Sequence, residues 1–384
     1  MQERCRGSLF RILPVLLLAW LSSSVHAETG VTDTRILLGQ SAGLSGPTAQ
    51  MARQMFIGAK VYFDKVNQQG GVYGRRIEVV TRDDRYMSAF TAYNTRQLIE
   101  NDKVFALFGF VGWPTSQAAV PIAVKARVPF FAPMSGGATL HANFNRYVFN
   151  VRASYTHEYA YFLKSLGGLG ARRLALVYQQ NQQGVLIRHD VERQARVEAV
   201  DLLSIDIDID GLNLTAMTEA ILAAKSEIVM LATGDYKASA RVVRDLRRKG
   251  FLGQFFALSF VGQKALADEL GELARGTLVT QVVPFPWRVS MPLVAEYRKR
   301  MNEAGYDDLN FGSLEGYIAA RILVEGLMRA RRHLTREKLI RALESINAHN
   351  YDGGGYAVNF SPTNHNASTF VDMTSMTKDA RFLD

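Results

Sequence analysis

Residues 108–119 read FGFVGWPTSQAA: an apolar run ends in a glycine, a tryptophan and a proline, and hydroxyl residues follow. Comparable loops, rich in hydroxyl, amide and glycine residues, follow other apolar runs at 41–47, 133–139, 179–184, 233–236 and 259–263. Unpaired backbone amides at the start of a helix attract anions, and a large ring beside them offers an apolar wall. These residue types predict binding of a small anion-bearing molecule.

Motifs for catalysis are missing from the sequence. It contains no H-E-x-x-H, no C-x-x-C, no phosphate-binding glycine loop and no G-x-S-x-G elbow. Residues 206–211 (DIDIDG) copy the first half of a calcium loop, but Met217 stands at position twelve, where a bidentate carboxylate is needed. A polar strand end is the simpler interpretation. We therefore predict no catalytic residue, no metal site, no cofactor and no enzyme activity.

A unit of strand followed by helix repeats along the chain and must position these loops. Strands are predicted at 34–40, 76–82, 104–110, 128–132, 172–178, 199–205, 227–233, 254–259, 276–283, 355–360 and 369–375. Helices are predicted at 51–69, 89–101, 115–126, 184–197, 214–224, 237–249, 264–270, 291–304, 313–330 and 336–346. Most strands are apolar throughout, as burial on both faces requires. The fold class is therefore α/β with two doubly wound parallel sheets, whose ligands bind at the carboxyl ends of the strands.

Residues 1–27 have the features of a cleavable secretory signal: a basic start, an apolar run and the small-x-small exit Val25-His26-Ala27. Cleavage after Ala27 removes Cys5, the only cysteine, so the mature chain has no thiol nucleophile. The formal charge of +9 falls to +7, because the signal holds three arginines and one glutamate. Basic clusters such as 244–249 have helical spacing, which indicates a solvated helix face and no nucleic-acid partner.

Four motifs resemble those of the branched-chain amino-acid binding proteins of ABC transporters. They are LSGP at 44–47, N-x-x-G-G-x-x-G-R at 67–75, the acidic pair Asp83-Asp84 and G-x-x-x-x-x-x-S-x-A at 109–118. The resemblance extends from about Thr34 to the C-terminus. It implies the type I periplasmic-binding fold, with two parallel-sheet lobes joined by a three-segment hinge. Lobe 1 is then 33–152 plus 284–360, and lobe 2 is 153–283 plus 361–384.

The resemblance also places a ligand in the cleft between the lobes. Hydroxyls and amides of Thr115 and Ser116, which we expect to cap a helix, would hold a ligand carboxylate. A second set comes from Ser135, Gly136 and Gly137. Trp113 would be the wall against which the ligand body rests. The alternative is that Trp113 only rigidifies the start of a helix and packs against a neighbouring loop.

The sequence departs from the amino-acid-binding pattern at two positions. Trp113 stands where the family has a serine, and Ser259, followed by Phe260, stands where the family has the acid that receives the ligand ammonium. A buried ammonium without an anionic partner costs several kcal/mol, so recognition of an α-amino acid is in doubt. Asp235 either replaces the missing acid or only caps the following helix. Weaker cleft candidates are Tyr155, Gln183, Tyr236, Phe285 and Trp287.

These observations predict a periplasmic solute-binding protein. Its ligand is a small polar, carboxylate-bearing or aromatic molecule, and its partner is an ABC permease in the inner membrane. The alternative partner is a membrane histidine kinase or diguanylate cyclase, for which the protein would be a ligand sensor. The cleavable signal and the lack of an attached signalling domain favour transport.

Overall fold

A computed structural model describes residues 28–168, 170–208, 212–377 and 381–383. The predicted signal and its cleavage site lie outside these residues, as do the last three residues of the DIDIDG segment. Within the described part of the chain, no helix is both long and apolar enough to cross a membrane. The same residues contain no group of three or more histidine, cysteine, aspartate or glutamate side chains arranged to hold a metal ion.

The first sheet has five parallel strands in the spatial order β2-β1-β3-β4-β5. Its strands β1 to β5 are Arg35–Ala42, Arg76–Asp83, Ala106–Phe108, Phe130–Phe131 and Val148–Phe149. The short central strands are fully buried, as expected for apolar runs with helices on both faces. Four of the five strands were predicted, and β5 was not.

The second sheet has seven strands in the order β12-β11-β10-β9-β8-β6-β7. Strands β6 to β12 are Arg173–Gln179, Asp201–Ile207, Ile228–Ala232, Gln254–Ala257, Leu278–Gln281, Asp372–Met376 and Phe382–Leu383. The first five are parallel, and β11 and β12 are antiparallel additions at one edge. The two doubly wound sheets are thus confirmed.

Twelve α-helices of the described residues cover the sheets. Helices α1 to α12 are Ala49–Gln68, Ser88–Arg96, Trp113–Lys125, Ala138–His141, Tyr155–Ser165, Gln182–Val197, Leu214–Ala223, Tyr236–Arg248, Gln263–Leu270, Pro292–Glu303, Phe311–Ala330 and Arg336–Glu344. Helix α11 packs directly on α1. A Cβ on Gly58 would lie 1.7 Å from the Ser313 carbonyl oxygen, and one on Gly316 would lie 2.1 Å from that of Met55. Glycine at both places lets the two backbones approach, which fixes α11 in the first lobe.

The strand predicted at 355–360 is wrong. Buried and exposed residues alternate there, as in a strand, and Tyr356, Val358 and Phe360 are buried. The backbone does not join a ladder: the amide of Asn359 donates to Ala367, and the amide of Phe360 donates to Ile346. The alternation therefore reflects burial on one side without a neighbouring strand.

The chain passes between the sheets three times: after β5, after β10 and before β11. The lobe boundaries given above stay a prediction. Next to the last of them, Asn366 still forms a parallel bridge with Asn150, and the Asn150 side-chain amide donates to the Asn366 side chain at 2.8 Å. The passages place Arg152 and residues 282–284 between the lobes.

Candidate functional site

Trp113 is the first residue of α3 and lies against the loop that follows β4. Its ring is 3% exposed, and its Nε1 donates to the hydroxyl of Thr139 at 2.9 Å. A Cβ on Gly137 would lie 1.7 Å from Trp113 Cδ1, so only glycine leaves room for the ring. Trp113 thus packs against a neighbouring loop, as the alternative given above for this residue predicts. Its role as a wall for the ligand stays a prediction.

Thr115 and Ser116 do not cap α3, contrary to our expectation. The helix starts two residues earlier, because Gly112 (φ 97°) takes the capping position and Pro114 lies in the first turn. The hydroxyl of Thr115 donates to the carbonyl of Val111 at 2.6 Å, one turn back. The hydroxyl of Ser116 is buried and has no hydrogen-bond partner among the described residues. Of the two hydroxyls, only that of Ser116 lacks a partner among the described residues, and its contact with a ligand stays a prediction.

The loop after β4 holds the second predicted set, Ser135, Gly136 and Gly137. The amide of Gly137 donates to the Ser135 hydroxyl at 3.2 Å, and the Tyr155 hydroxyl lies 3.4 Å from the same oxygen. The amide of Tyr155 donates to the Gly136 carbonyl at 2.8 Å. Burial raises the pKa of Tyr155, so its phenol stays protonated and can donate. Tyr155, a weak candidate from sequence, thus belongs to this group.

Two further rings lie in the region of Tyr155. Phe260 lies 4.6 Å from it between ring centroids, which joins the predicted pair Ser259-Phe260 to the same region. Tyr86 was missed by the sequence analysis. A Cβ on Gly112 would lie 2.2 Å from Tyr86 Cε2, so its ring covers the start of α3, and burial and the nearby Tyr155 raise its pKa. The signal for Tyr86 was the acidic pair before it, since Asp84 accepts its amide at 2.9 Å.

Among the described residues, no hydrogen bond or ring contact joins the remaining second-lobe candidates to these loops. Asp235 caps α8, accepting the amide of Lys237 at 2.9 Å, so the capping alternative describes its geometry. Tyr236 packs against the second-lobe core. Gln183 lies half-buried in the first turn of α6. Their contact with a ligand stays a prediction.

Ser259, which stands where an acid was expected, binds a different acid. Its amide and hydroxyl donate to the two carboxylate oxygens of Glu158 at 3.0 and 2.8 Å. Thr280 donates to the same carboxylate at 2.6 Å, and Arg152 contacts both Glu158, at 3.2 Å, and the Ser259 hydroxyl. Glu158 is fully buried on α5, and its oxygens already have four donors. It is therefore unsuited to receive a ligand ammonium.

Arg152 connects Glu158 of the second lobe to Glu315 of the first. Its Nη1 lies 3.4 Å from the Oε1 of Glu315, and the two side chains are 2% and 8% exposed. Burial raises the pKa of Glu315, with Glu158 adding to the rise and Arg152 opposing it. One guanidinium thus faces two carboxylates across the hinge.

A cavity of about 750 Å³ lies between the lobes beside this cluster. The first lobe contributes the starts of α1 and α11, and the second contributes residues after β9 and the end of the chain. Of the predicted residues, Ser259, Phe285 and Trp287 line it. Phe311 and Glu315 line it as well and were missed by sequence reasoning. The sequence feature that could have identified them is their four-residue spacing, which puts an acidic side chain and an aromatic ring on the same face of a helix.

Comparisons with known proteins agree with this architecture. The model of the periplasmic binding protein family matches residues 36–381. The Leu/Ile/Val-binding protein of Citrobacter freundii is 24% identical over 243 residues, or 62% of this chain, and the chain spans 65% of the length of that relative. A homologue of that protein from Brucella abortus is 22% identical over 335 residues, covering 81% of each chain.

Solved structures show the same likeness. A structure described as a possible leucine/isoleucine/valine-binding protein, from Rhodopirellula baltica, is 30% identical with a TM-score of 0.82, covering 93% of this chain and 98% of the other. A fatty acid ABC transporter substrate-binding protein from Thermomonospora curvata has the same fold, with 22% identity, a TM-score of 0.82 and 93% and 92% coverage. The chain therefore belongs to the family of periplasmic binding proteins and has the type I fold of the Leu/Ile/Val-binding proteins.

Proposed function

We propose that the protein captures a small carboxylate-bearing or aromatic solute between its lobes and delivers it to an ABC permease of the branched-chain amino-acid type. The observation that carries this proposal is the cavity of about 750 Å³ with walls from both lobes. Its size is in the range of ligand sites for small molecules. Since each lobe supplies part of the wall, closure about the hinge would enclose the solute.

The chemistry around β3 and β4 supports a carboxylate on the ligand. Ser116 has a buried hydroxyl without a partner, and the loop after β4 offers the hydroxyl of Ser135 near the phenol of Tyr155. Hydrogen bonds from such groups to an ionised carboxylate contribute roughly 1.5 to 3 kcal/mol each. The relatives are named for leucine, isoleucine and valine or for a fatty acid, all of which carry a carboxylate.

Delivery to a permease requires the mature protein in the periplasm. We propose that residues 1–27 are removed and that the chain then begins at Glu28. Intact-mass measurement of protein from the periplasmic fraction checks this point, and a retained Met1 terminus contradicts it.

A thermal-shift screen with amino acids, aromatic acids, short carboxylates and amides tests binding. A ligand at a hundredfold excess over Kd adds about 2.7 kcal/mol to the free energy of unfolding. Uptake of the binding compound by cells with and without the gene then tests transport. If no compound stabilises the protein, solute binding is wrong; if a compound binds but uptake does not depend on the gene, a sensor role replaces delivery.

A further inference from the structure

Four aromatic side chains form a wall of the cavity between the lobes. The ring centroids of Phe285 and Trp287 lie 4.9 Å apart, and those of Trp287 and Phe311 lie 5.9 Å apart. Phe382 comes from the second sheet, and its ring meets that of Phe311 edge-on at 5.4 Å. Both lobes therefore contribute to one aromatic enclosure.

Glu315 faces the same cavity from the helix that carries Phe311. The two residues are four positions apart on α11, so their side chains lie on one face of the helix, and both line the cavity. The Glu315 carboxylate lies 3.4 Å from the Nη1 of Arg152. Arg152 also contacts Glu158, so the two carboxyl groups share one guanidinium. Burial and the nearby Glu158 raise the pKa of Glu315, so a second cation beside it would stabilise its ionised form. Glu315 is the member of the cluster that lines the cavity.

The charged side chains that line the cavity carry a net negative charge. Two basic and four acidic side chains line it among the described residues, a formal balance of −2; they are Lys264, Arg381, Asp268, Asp307, Asp308 and Glu315. Lys264 is held by Asp268 at 3.0 Å, so that pair contributes no net charge. A wall of this kind attracts a cation.

The geometry points to a subsite for an organic cation, with a protonated or alkylated ammonium group seated among Phe285, Trp287 and Phe311 and facing Glu315. Ring faces carry negative electrostatic potential and attract ammonium groups. A purely apolar group there would leave the buried Glu315 carboxyl with no partner beyond the shared Arg152. The inference rests on the proposed function, because it names the class of solute that the same cleft takes.

Binding of matched pairs of compounds tests the subsite by isothermal titration calorimetry. Glycine betaine and 3,3-dimethylbutanoate have the same shape and the same carboxylate, and differ only in the cationic nitrogen. Leucine and 4-methylpentanoate make the same comparison for a primary ammonium. We expect the ammonium compound of at least one pair to bind about tenfold more tightly than its partner without the nitrogen, and the pair that shows the preference tells which kind of ammonium fits.

Two variants assign that preference to the subsite. Glu315→Gln keeps the side-chain shape and should abolish the preference for the cation. Trp287→Leu keeps an apolar side chain at a half-buried position and should weaken binding of the ammonium compound about three- to tenfold, with little change for the compound that lacks the nitrogen. The matched control is Glu325→Gln on the same helix, whose carboxylate is held by Arg329 at 2.6 Å and does not line the cavity.

The outcomes separate the inference from the proposed function. If only the two carboxylates without nitrogen bind, or if they bind as tightly as the ammonium compounds, the cation subsite is wrong while solute binding stands. A full cation preference retained in Glu315→Gln also overturns the subsite. Failure of all four compounds and of the wider screen overturns both.

Discussion

Replacing Arg152 by methionine should cost the protein much of its stability. The guanidinium contacts Glu158 at 3.2 Å and Glu315 at 3.4 Å, and methionine fills a similar volume without a charge. Glu158 keeps the donors of Ser259 and Thr280, but both carboxylates lose their buried cation. Removing one partner of a buried ion pair typically costs about 3 to 5 kcal/mol, a large part of the total stability of a domain.

Urea denaturation followed by circular dichroism measures this loss as a shift of the midpoint at constant slope. The control is Arg35→Met, whose pair with Glu78 has side chains 44% and 49% exposed and should change stability by less than about 1 kcal/mol. A loss in Arg152→Met no larger than in the control would refute the reasoning. The double variant Arg152→Met/Glu315→Gln should regain part of the lost stability, because one uncompensated carboxylate is gone. Stability losses of the two single variants that simply add in the double variant would also refute the reasoning.

The pH dependence has a definite sign. Burial raises the folded-state pKa of Glu315 above the ordinary glutamate value of 4.5. Protonated Glu315 therefore contributes to the stability of the folded protein. This contribution is fully present below the ordinary glutamate pKa and is lost as the pH rises through the raised pKa of the folded state. Without Arg152 the pKa should rise further. The deficit of Arg152→Met should therefore be smallest in acid and grow toward neutral pH, and a deficit independent of pH contradicts this account.

Two other changes address the predicted carboxylate site. Ser116→Ala removes a buried hydroxyl without a partner, so it should leave stability unchanged or slightly higher and weaken the binding of a carboxylate ligand about tenfold. Thr115→Val removes a hydrogen bond to the helix backbone, so it should cost about 1 kcal/mol of stability and leave ligand affinity unchanged. Equal effects of the two on ligand affinity in calorimetry contradict the assignment. Gly137→Ala should displace the Trp113 ring and destabilise the protein by about 1 to 3 kcal/mol, visible as a lower midpoint and altered tryptophan fluorescence, and an unchanged midpoint contradicts the packing.

The sheets were predictable because their signal is local. An apolar run such as that of β8, bounded by polar turns, indicates a strand buried on both faces, and alternation with helices indicates parallel order. The strand prediction failed at 355–360. Buried and exposed residues alternate there as predicted, but a strand also needs an adjacent strand to pair with, and within the described chain this segment has none. Burial is visible in the pattern of residue types, whereas hydrogen bonding to another segment is not.

The candidate site was predictable only in part, for the same reason. The loops after β3 and β4 could be found because each follows its own strand. The cluster of Arg152, Glu158 and Glu315 joins positions up to 163 residues apart, and no periodicity links them. A single acid in the otherwise apolar start of α11 was the available signal for Glu315, since an ionisable residue in a buried helix needs a partner. Ser259 looked like a loss of charge, whereas in the structure it donates to the buried Glu158 of α5.

The two halves of the proposed site share a border. Met134 lines the cavity and Ser135, next in the chain, belongs to the predicted carboxylate loop. Ser259 also lines the cavity, while its neighbour Phe260 packs on Tyr155 beside that loop. If its carboxylate meets Ser135, as we propose, a solute would lie beside the cavity that Glu315 lines. A zwitterion would then suit both ends of the proposed site, because its carboxylate would meet the hydroxyl of Ser135 and its cation would meet the carboxylate of Glu315.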